Sequence, residues 1–364
     1  MTSQTEQAGA LARRIEEQLN QVLVGQPAIT RQVLIALITG GHVLIEGVPG
    51  LGKTLLARSL ARVLELDFQR IQFTPDLMPS DVTGHALFDS QSGDFRVRKG
   101  PAFTNLLLAD EINRAPAKTQ AALLEVMQER QITIEGESFP LAPPFVVLAT
   151  QNPLDQEGTY PLPEAELDRF LFKILIDYPD QAHESRMVEM VLDGRLPDSL
   201  DAAQLTPVTD AAGILELTRS AEQVLIDPAL IDYLLRLVRA TREHPSLIQG
   251  GSPRASIALA RTAKTQALLS GRDFVVPDDV KAVAAPVLRH RLRLPAVVGS
   301  ARRFESQVGA QRRLVKKVRR AGENHVIAGR DTITVVLSQQ QRRLARCRLV
   351  HTFHRINSPK QHGP

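Results

Sequence analysis

The sequence predicts an α/β domain with a parallel sheet, followed by a small domain that contains only helices. Two observations lead to this fold class. Apolar runs of four to six residues, typical of buried strands, alternate with helical patterns over the first half of the chain. From about residue 181 to residue 293 only helical patterns occur, with helix starts at Asp227-Pro228 and Ser252-Pro253, where an N-cap residue precedes a proline. Short connections then favour helices on both faces of the sheet.

Most of the predicted strands are short apolar runs, and the helix predicted over 29–39 has apolar spacing near 3.6. The N-terminal segment 1–20 contains an amphipathic helix over 8–20, and Gly25 and Pro27 separate it from the next helix. The predicted strands are 42–45, 68–73, 106–109, 145–150 and 170–176, and the next predicted helices are 29–39, 55–64 and 117–129.

Two further segments are predicted to form hairpins. Prolines and glycines interrupt residues 74–104, within which 86–88 and 95–97 flank a polar tip. Residues 131–141 form the second predicted hairpin, with Glu135 and Glu137 at its tip. A long insertion such as the first is usually functional or disordered in a compact domain.

Charge is unevenly distributed along the chain. Residues 295–364 hold 15 Lys and Arg against 3 Asp and Glu, whereas the other 294 residues hold 29 against 37. This mildly acidic main part argues against a broad nucleic-acid-binding surface there. Cys347 is the one cysteine, so no internal disulfide forms. Residues 1–10 lack an apolar signal core and no apolar stretch is long enough for a membrane span, which predicts a cytoplasmic protein.

A glycine-rich stretch fits the P-loop template G-x-x-x-x-G-K-[ST] at every fixed position and lies between a predicted strand and a predicted helix. Its glycines let backbone N–H groups point at phosphate oxygens, and the helix start adds a positive dipole end. We expect Lys53 to contact the β- and γ-phosphates and Thr54 to bind Mg²⁺. The stretch consists of Gly47, Val48, Pro49, Gly50, Leu51, Gly52, Lys53 and Thr54.

A predicted strand ends in Asp110-Glu111, which is the Walker B arrangement. The carboxyl ends of parallel strands form the ligand crevice of open α/β sheets. We therefore expect Asp110 to hold Mg²⁺ and Glu111 to activate water as general base. Asn152 follows the next strand, where it is expected to align that water; an Asx turn capped by Pro153 is the alternative.

Two arginines are candidate contacts to a triphosphate. Arg169 precedes the last strand and is a candidate arginine finger in trans, a role worth about 10³–10⁵ in rate. A structural salt bridge with Asp168 or Glu166 is its alternative. Arg254 lies in the first turn of a predicted helix, and we expect it to reach back to the phosphates. The alternative is an arginine on the surface with no role in the site. Whether Arg254 acts in cis or in trans stays open. Arg114 is a weaker candidate.

Together these residues resemble the MoxR family of AAA+ ATPases over about residues 15–293. The motifs separate this family from kinases, transporters and most other P-loop proteins. The resemblance is carried by 24–26, 46–54, 100–101, 109–115, 120–128, 149–153, 162–170 and 251–254.

We divide the chain into an N-terminal helix (1–20), an α/β nucleotide-binding domain (21–180), a helical lid domain (181–294) and a basic segment (295–364). That last segment departs from the family pattern. A disordered or frame-shifted terminus is favoured over an extension that binds an acidic partner or nucleic acid. The resemblance implies that residues 74–104 are the helix-2 insert and that residues 131–141 are the pre-sensor hairpin. It also implies that Asn152 is sensor 1, Arg169 the arginine finger and Arg254 sensor 2. The implied nucleotide contacts further include Gly25, Gln26 and Leu55.

Members of this family are thought to be ring-forming, typically hexameric, chaperone-like ATPases. They often act with a partner that carries a von Willebrand factor A domain, and they mature enzyme complexes or insert metal cofactors. The resemblance therefore implies a homo-oligomer that hydrolyses ATP with Mg²⁺ and remodels protein clients. The alternatives are a nucleic-acid-stimulated AAA+ motor, which the acidic tip of the second hairpin disfavours, and a monomeric nucleotide switch or small-molecule kinase.

Overall fold

The computed structural model describes residues 4–90, 93–152, 158–193 and 205–293. The basic segment 295–364, with Cys347, and the predicted turn residue Pro153 lie outside these ranges. The strands of the described residues are β1 (Val43–Glu46), β2 (Phe68–Gln72), β3 (Gly84–Asp89), β4 (Asp94–Lys99), β5 (Leu106–Asp110), β6 (Gln131–Ile134), β7 (Glu137–Pro140), β8 (Val146–Gln151) and β9 (Phe172–Leu175).

One five-stranded sheet has the order β2-β5-β8-β1-β9, and all of its strand pairs are parallel. The remaining strands form two antiparallel hairpins, β3–β4 and β6–β7, as the sequence predicts. Strands β1 and β5 are buried along their whole length, because apolar side chains on both faces meet covering helices. The predicted parallel α/β sheet is therefore confirmed.

The last strand begins two residues later than predicted. Phe170 and Leu171 are buried, as their apolar character suggested, but their carbonyl groups accept hydrogen bonds from Arg291. The register of β9 on β1 starts only where Phe172 pairs with Val43. Contacts with a distant side chain, which no local pattern reveals, therefore shorten the strand.

The helices enclose the sheet and form the second half of the chain, and most of them match a predicted pattern. Two short ones, around Pro79 and Glu164, are too brief to show an apolar period. The helices are α1 (Gln4–Asn20), α2 (Pro27–Thr39), α3 (Lys53–Val63), α4 (Pro79–Thr83), α5 (Ala117–Glu129), α6 (Glu164–Leu167), α7 (Gln181–Leu192), α8 (Ala211–Gln223), α9 (Pro228–Arg242), α10 (Pro253–Leu269) and α11 (Pro277–Leu288).

Alternate strand residues contribute to two apolar cores, one on each face of the sheet. The core that contains Ile45 also contains Leu34 of α2 and Leu259 of α10. Buried polar contacts reinforce this junction, because the hydroxyls of Thr39 and Thr265 lie 2.9 Å apart. The helical domain is therefore packed directly on one face of the α/β domain.

His42, directly before β1, forms hydrogen bonds to both β8 and α5. The backbone N–H of Val147 donates to its Nδ1 at 3.0 Å, so Nε2 carries the proton and donates to the Met127 carbonyl at 3.0 Å. Burial lowers the pKa of His42 to about 4, and the nearby Arg130 adds to this effect. The folded protein therefore holds this imidazole neutral.

This burial makes stability depend on pH with a defined sign. Below the ordinary pKa of 6.5, the unfolded chain binds a proton at His42 that the folded chain does not bind until about pH 4. Between pH 7 and pH 5 we therefore expect this group to remove about 2 kcal/mol from the unfolding free energy. Urea unfolding at the two pH values should show a loss smaller by about that amount in His42→Gln, and equal losses in both proteins would contradict the assignment.

Candidate functional site

The P-loop lies where the sequence predicts it, between the end of β1 and the start of α3. Gly50 and Gly52 have φ angles of 82° and 75°, in the left-handed region that favours glycine. An added Cβ at either glycine would meet nothing within 4 Å, so the backbone conformation itself requires glycine there. Buried Lys53 donates from Nζ to the Gly47 carbonyl at 2.8 Å, and Thr54 follows it in the first helical turn. The loop and the helix start therefore have the conformation that the P-loop template requires.

The two predicted acids lie at the carboxyl end of β5, where Asp110 is the last strand residue and Glu111 follows it, at the same edge of the sheet. Asp110 is buried, and its Oδ2 pairs with Arg70 Nη2 at 2.7 Å. Glu111 has φ 55° and ψ 49°, a left-handed conformation that turns the chain sharply after the strand. Its Oε2 accepts from Gln72 Nε2 at 2.8 Å and pairs with Arg114 Nε at 2.9 Å. Arg114 therefore lies beside the acids of its own chain.

Thr150 connects the two acids through one hydroxyl group. Its Oγ1 donates to Asp110 Oδ1 at 2.5 Å and accepts from the Glu111 backbone N–H at 2.8 Å. The side chain is fully buried in β8, the neighbour of β5 in the sheet. The contacts of Thr150 in β8 and of Arg70 and Gln72 in β2 were not predicted, because they join the acids of β5 to other strands that are distant in sequence.

Asn152 lies between the acids and the P-loop. It is buried and follows directly after β8, which separates β5 from β1 in the sheet. The backbone N–H of Gly47 donates to the carbonyl of Gln151 at 3.4 Å, so the start of the P-loop contacts the residue before Asn152. Three adjacent strand ends therefore bring together the predicted cradle, the acids and the amide.

The donor set fits a nucleoside triphosphate with Mg²⁺. The hydroxyl of Thr54 and the carboxylate of Asp110 are the oxygen ligands that Mg²⁺ prefers. Within the described ranges, no group of three His, Cys, Asp or Glu residues is placed to hold a metal ion. Mg²⁺ is usually held by one or two protein carboxylates together with phosphate oxygens and water.

The remaining predicted nucleotide contacts lie on neighbouring elements at this edge. Gly25 has φ 76°, and an added Cβ would stand 2.7 Å from the ring of His183, which therefore packs on the glycine. His183 donates from Nδ1 to Asp180 Oδ1 at 2.7 Å, and the pKa of Asp180 is lowered chiefly by a hydrogen bond from the His183 backbone. Gln26 precedes α2, and Leu55 is buried in α3.

The two candidate arginines lie together at the opposite edge of the sheet. Arg169 is half-buried and donates from Nη1 to the Leu124 carbonyl at 3.1 Å. Arg254 is exposed in the first turn of α10. They share a cavity of about 160 Å³, which is also lined by His42, Met127, Gln128 and Asp168.

This position bears on whether Arg254 acts on the phosphates of its own chain or on those of a neighbour, which the sequence left open. His42 precedes β1 and the P-loop follows it, so the cavity and the cradle are separated by the length of the strand. A four-residue strand spans about 13 Å. The alternative for Arg169, a salt bridge to Asp168, is also absent, because Asp168 pairs with Arg291 instead.

Comparisons with known proteins extend this description. Residues 42–172 match the ATPase family associated with various cellular activities (AAA), and residues 239–309 match the AAA lid domain. Chaperone MoxR1 of Mycobacterium tuberculosis is 44% identical over 293 residues, covering 78% of this chain and 76% of its own length. Protein MoxR of Methylorubrum extorquens is 35% identical over 311 residues, covering 79% and 88%.

A solved structure is also similar. The crystal structure of a protein assigned as an ATPase from Cytophaga hutchinsonii is 41% identical, with a TM-score of 0.75, and covers 87% of this chain and 95% of that one. Among the helices of the described residues, none has the length and hydropathy needed to cross a membrane.

The bridging hydroxyl of Thr150 makes a stability test possible without any ligand. Thr150→Val keeps the shape of the side chain but leaves Asp110 Oδ1 and the Glu111 N–H without this partner. We expect a loss of about 1–3 kcal/mol in unfolding free energy, measured by urea denaturation. Thr133→Val removes an exposed hydroxyl in β6 and should change stability by no more than about 0.5 kcal/mol. Similar losses in both variants would contradict the bridge.

Proposed function

The chain belongs to the MoxR family of AAA+ ATPases, and from that premise we propose that it hydrolyses ATP at sites shared by neighbouring copies of itself. One observation carries this proposal: the cradle, acids and amide lie at one edge of the sheet, and the two arginines lie at the other. Neither edge alone carries both the phosphate-binding and acidic residues and the two arginines. A head-to-tail ring of copies would bring the two edges together at every interface.

Within one subunit, the residues of the first edge bind and orient the reactants. Lys53 and the P-loop amides hold the phosphates of ATP, and Thr54 and Asp110 hold Mg²⁺. Mg²⁺ bound with ATP neutralises charge on the β- and γ-phosphates. Glu111 takes a proton from the attacking water, and Asn152 aligns that water.

The two acids have side-chain partners on neighbouring elements. Gln72 of β2 and Arg114 both contact Glu111 Oε2. Arg70, also of β2, contacts Asp110 Oδ2. These contacts hold the two carboxylates at the end of β5.

The neighbouring subunit supplies Arg169 and Arg254. The cavity they share also contains the neutral His42, and the Asp168 charge is offset by Arg291, so the local charge is positive and suits an anion. Under this proposal both arginines act in trans on the γ-phosphate. Nucleotide state moves the helical lid domain (181–294) relative to the α/β domain (21–180).

We further propose a hexameric, chaperone-like ring in the cytoplasm that remodels protein complexes together with a von Willebrand factor A domain partner. The β3–β4 hairpin supports a protein client, because Phe88 and Phe95 are 61% and 72% exposed at its tip, with ring centroids 5.4 Å apart. The β6–β7 tip carries exposed Glu135 and Glu137, which suits protein better than nucleic acid.

Mixing variants tests the shared site. Arg169→Ala and Glu111→Gln should each lower ATP turnover by about 10³-fold or more, while both still bind a fluorescent ATP analogue. Lys53→Ala is the control that loses binding. In an equal mixture, about one interface in four pairs the intact acids of one variant with the intact arginines of the other, so activity should return. Mixtures that stay inactive, or a fully active monomer, would contradict the proposal.

The client can be identified with the same acid variant. Glu111→Gln should retain ATP and hold its clients, because the base is missing while the cradle is intact. Affinity capture followed by mass spectrometry should recover a protein with a von Willebrand factor A domain in the ATP-bound state and not from Lys53→Ala. Recovery of nucleic acid instead, with ATPase activity that DNA stimulates in a salt-sensitive manner, would favour the motor alternative.

A further inference from the structure

We propose that Asp168 is a positioning residue that fixes the two arginines relative to each other, and that it does so with Arg291 and Ser252. This inference rests on the proposed function, because it concerns the geometry of the arginine pair. Asp168 directly precedes Arg169, and its carboxylate binds the helical domain at the start of the helix that carries Arg254.

One carboxylate joins three parts of the fold. Asp168 Oδ1 accepts from Arg291 Nε at 2.6 Å, and its Oδ2 accepts from Ser252 Oγ at 3.0 Å. Ser252 lies two residues before Arg254, at the N-cap position of α10. The segment before β9, the start of α10 and the chain after α11 therefore meet at Asp168.

Ser252 serves this junction instead of its own helix. The sequence pattern predicts that its hydroxyl caps α10, and its backbone is extended as an N-cap should be, yet it makes no cap hydrogen bond. The hydroxyl donates to Asp168 instead. Asp227, at the start of α9, caps in the ordinary way by accepting from the backbone of Ala229.

Arg291 holds the backbone of the same segment. Its side chain is 4% exposed, and Nη2 donates to the carbonyls of Asp168 at 3.1 Å and Phe170 at 2.7 Å. Nη1 donates to Leu171 and Val287, so with the bond from Nε all five N–H groups of the guanidinium are used. Burial lowers the pKa of Arg291, and the contact with Asp168 opposes that shift.

These contacts matter because the two arginines reside on different parts of the fold. Arg169 belongs to the α/β domain, and Arg254 belongs to the helical domain. Their like charges repel within the shared cavity, and Asp168 is the carboxylate that lines it. A displacement of about 1 Å from the productive geometry can cost about 100-fold in rate. Asp168 is therefore placed to set how well the pair fits a neighbour's γ-phosphate.

Asp168→Asn is the variant that tests this role, since it removes the charge with little change in shape. We expect fluorescent ATP analogue to bind the variant's own P-loop within about twofold of the wild type, while turnover falls about 10-fold to 100-fold. Mixing it with Glu111→Gln should restore activity, because the defect lies on the arginine side. Mixing it with Arg169→Ala should not, because both variants are defective on that side.

Two further variants separate positioning from folding. Asp279→Asn makes the same change in another tight ion pair, in which Arg272 binds both carboxylate oxygens at 2.6 and 2.7 Å near the start of α11. It should lower the melting temperature but leave turnover per folded ring unchanged. Ser252→Ala removes only the hydroxyl contact, costs no helix cap, and should lower turnover several-fold in the same direction as Asp168→Asn.

The outcomes distinguish this inference from the proposed function. Wild-type turnover in Asp168→Asn and Ser252→Ala, with Arg169→Ala inactive, would overturn the inference and leave the proposed function intact. Loss of ATP analogue binding in Asp168→Asn, or an equal loss of turnover in Asp279→Asn, would mean that Asp168 is only structural. Failure of Arg169→Ala and Glu111→Gln to complement each other would instead remove the proposed function itself.

Discussion

All five strands of the sheet run in one direction, and this constraint separates two kinds of chemistry. Residues that follow a strand lie at one edge, and residues that precede a strand lie at the other. Gly47, Asp110 and Asn152 belong to the first group, whereas His42 and Arg169 belong to the second. The four residues of β1, which span about 13 Å, separate His42 from Gly47 within one subunit. Under the proposed function, assembly is therefore a geometric requirement of the active site.

Buried charged side chains join β1, β9 and the end of α11. Lys173 of β9 pairs with Glu46 of β1 at 2.6 Å, directly before the P-loop, and burial together with Arg289 lowers the pKa of Lys173 to about 8. Buried ion pairs contribute little net stability, because desolvation offsets their attraction, but breaking one is costly. This pair lies within the sheet, whereas Arg289, the residue after α11, donates to the Lys173 carbonyl at 3.0 Å and so connects the helical domain to β9.

The sequence was sufficient for every part of the site that lies in one contiguous segment. The P-loop and the Asp110-Glu111 pair combine a fixed residue spacing with a neighbouring apolar strand. The sequence therefore indicates both the kind of motif and its position at the end of a strand. Thr150 and Arg291 were missed, because each acts through partners that are distant in sequence. Local sequence patterns also could not predict at which edge of the sheet Arg254 lies, because its position depends on how α10 packs against the α/β domain. The three central strands β5, β8 and β1 were predicted because central parallel strands must be apolar on both faces.

Ser252 illustrates how a local preference gives way to a tertiary one. A hydroxyl at the N-cap usually satisfies a free backbone N–H of its own helix, which is worth about 1 kcal/mol. In α10 this interaction is absent and the hydroxyl binds Asp168 across the domain contact, although α7, α8 and α9 each retain an Asp side chain as cap. Departures from local preference concentrate where function imposes another demand. The departure falls at Asp168, which lines the same cavity as the two arginines, and under the proposed function this is where a site completed by a neighbour requires the least freedom.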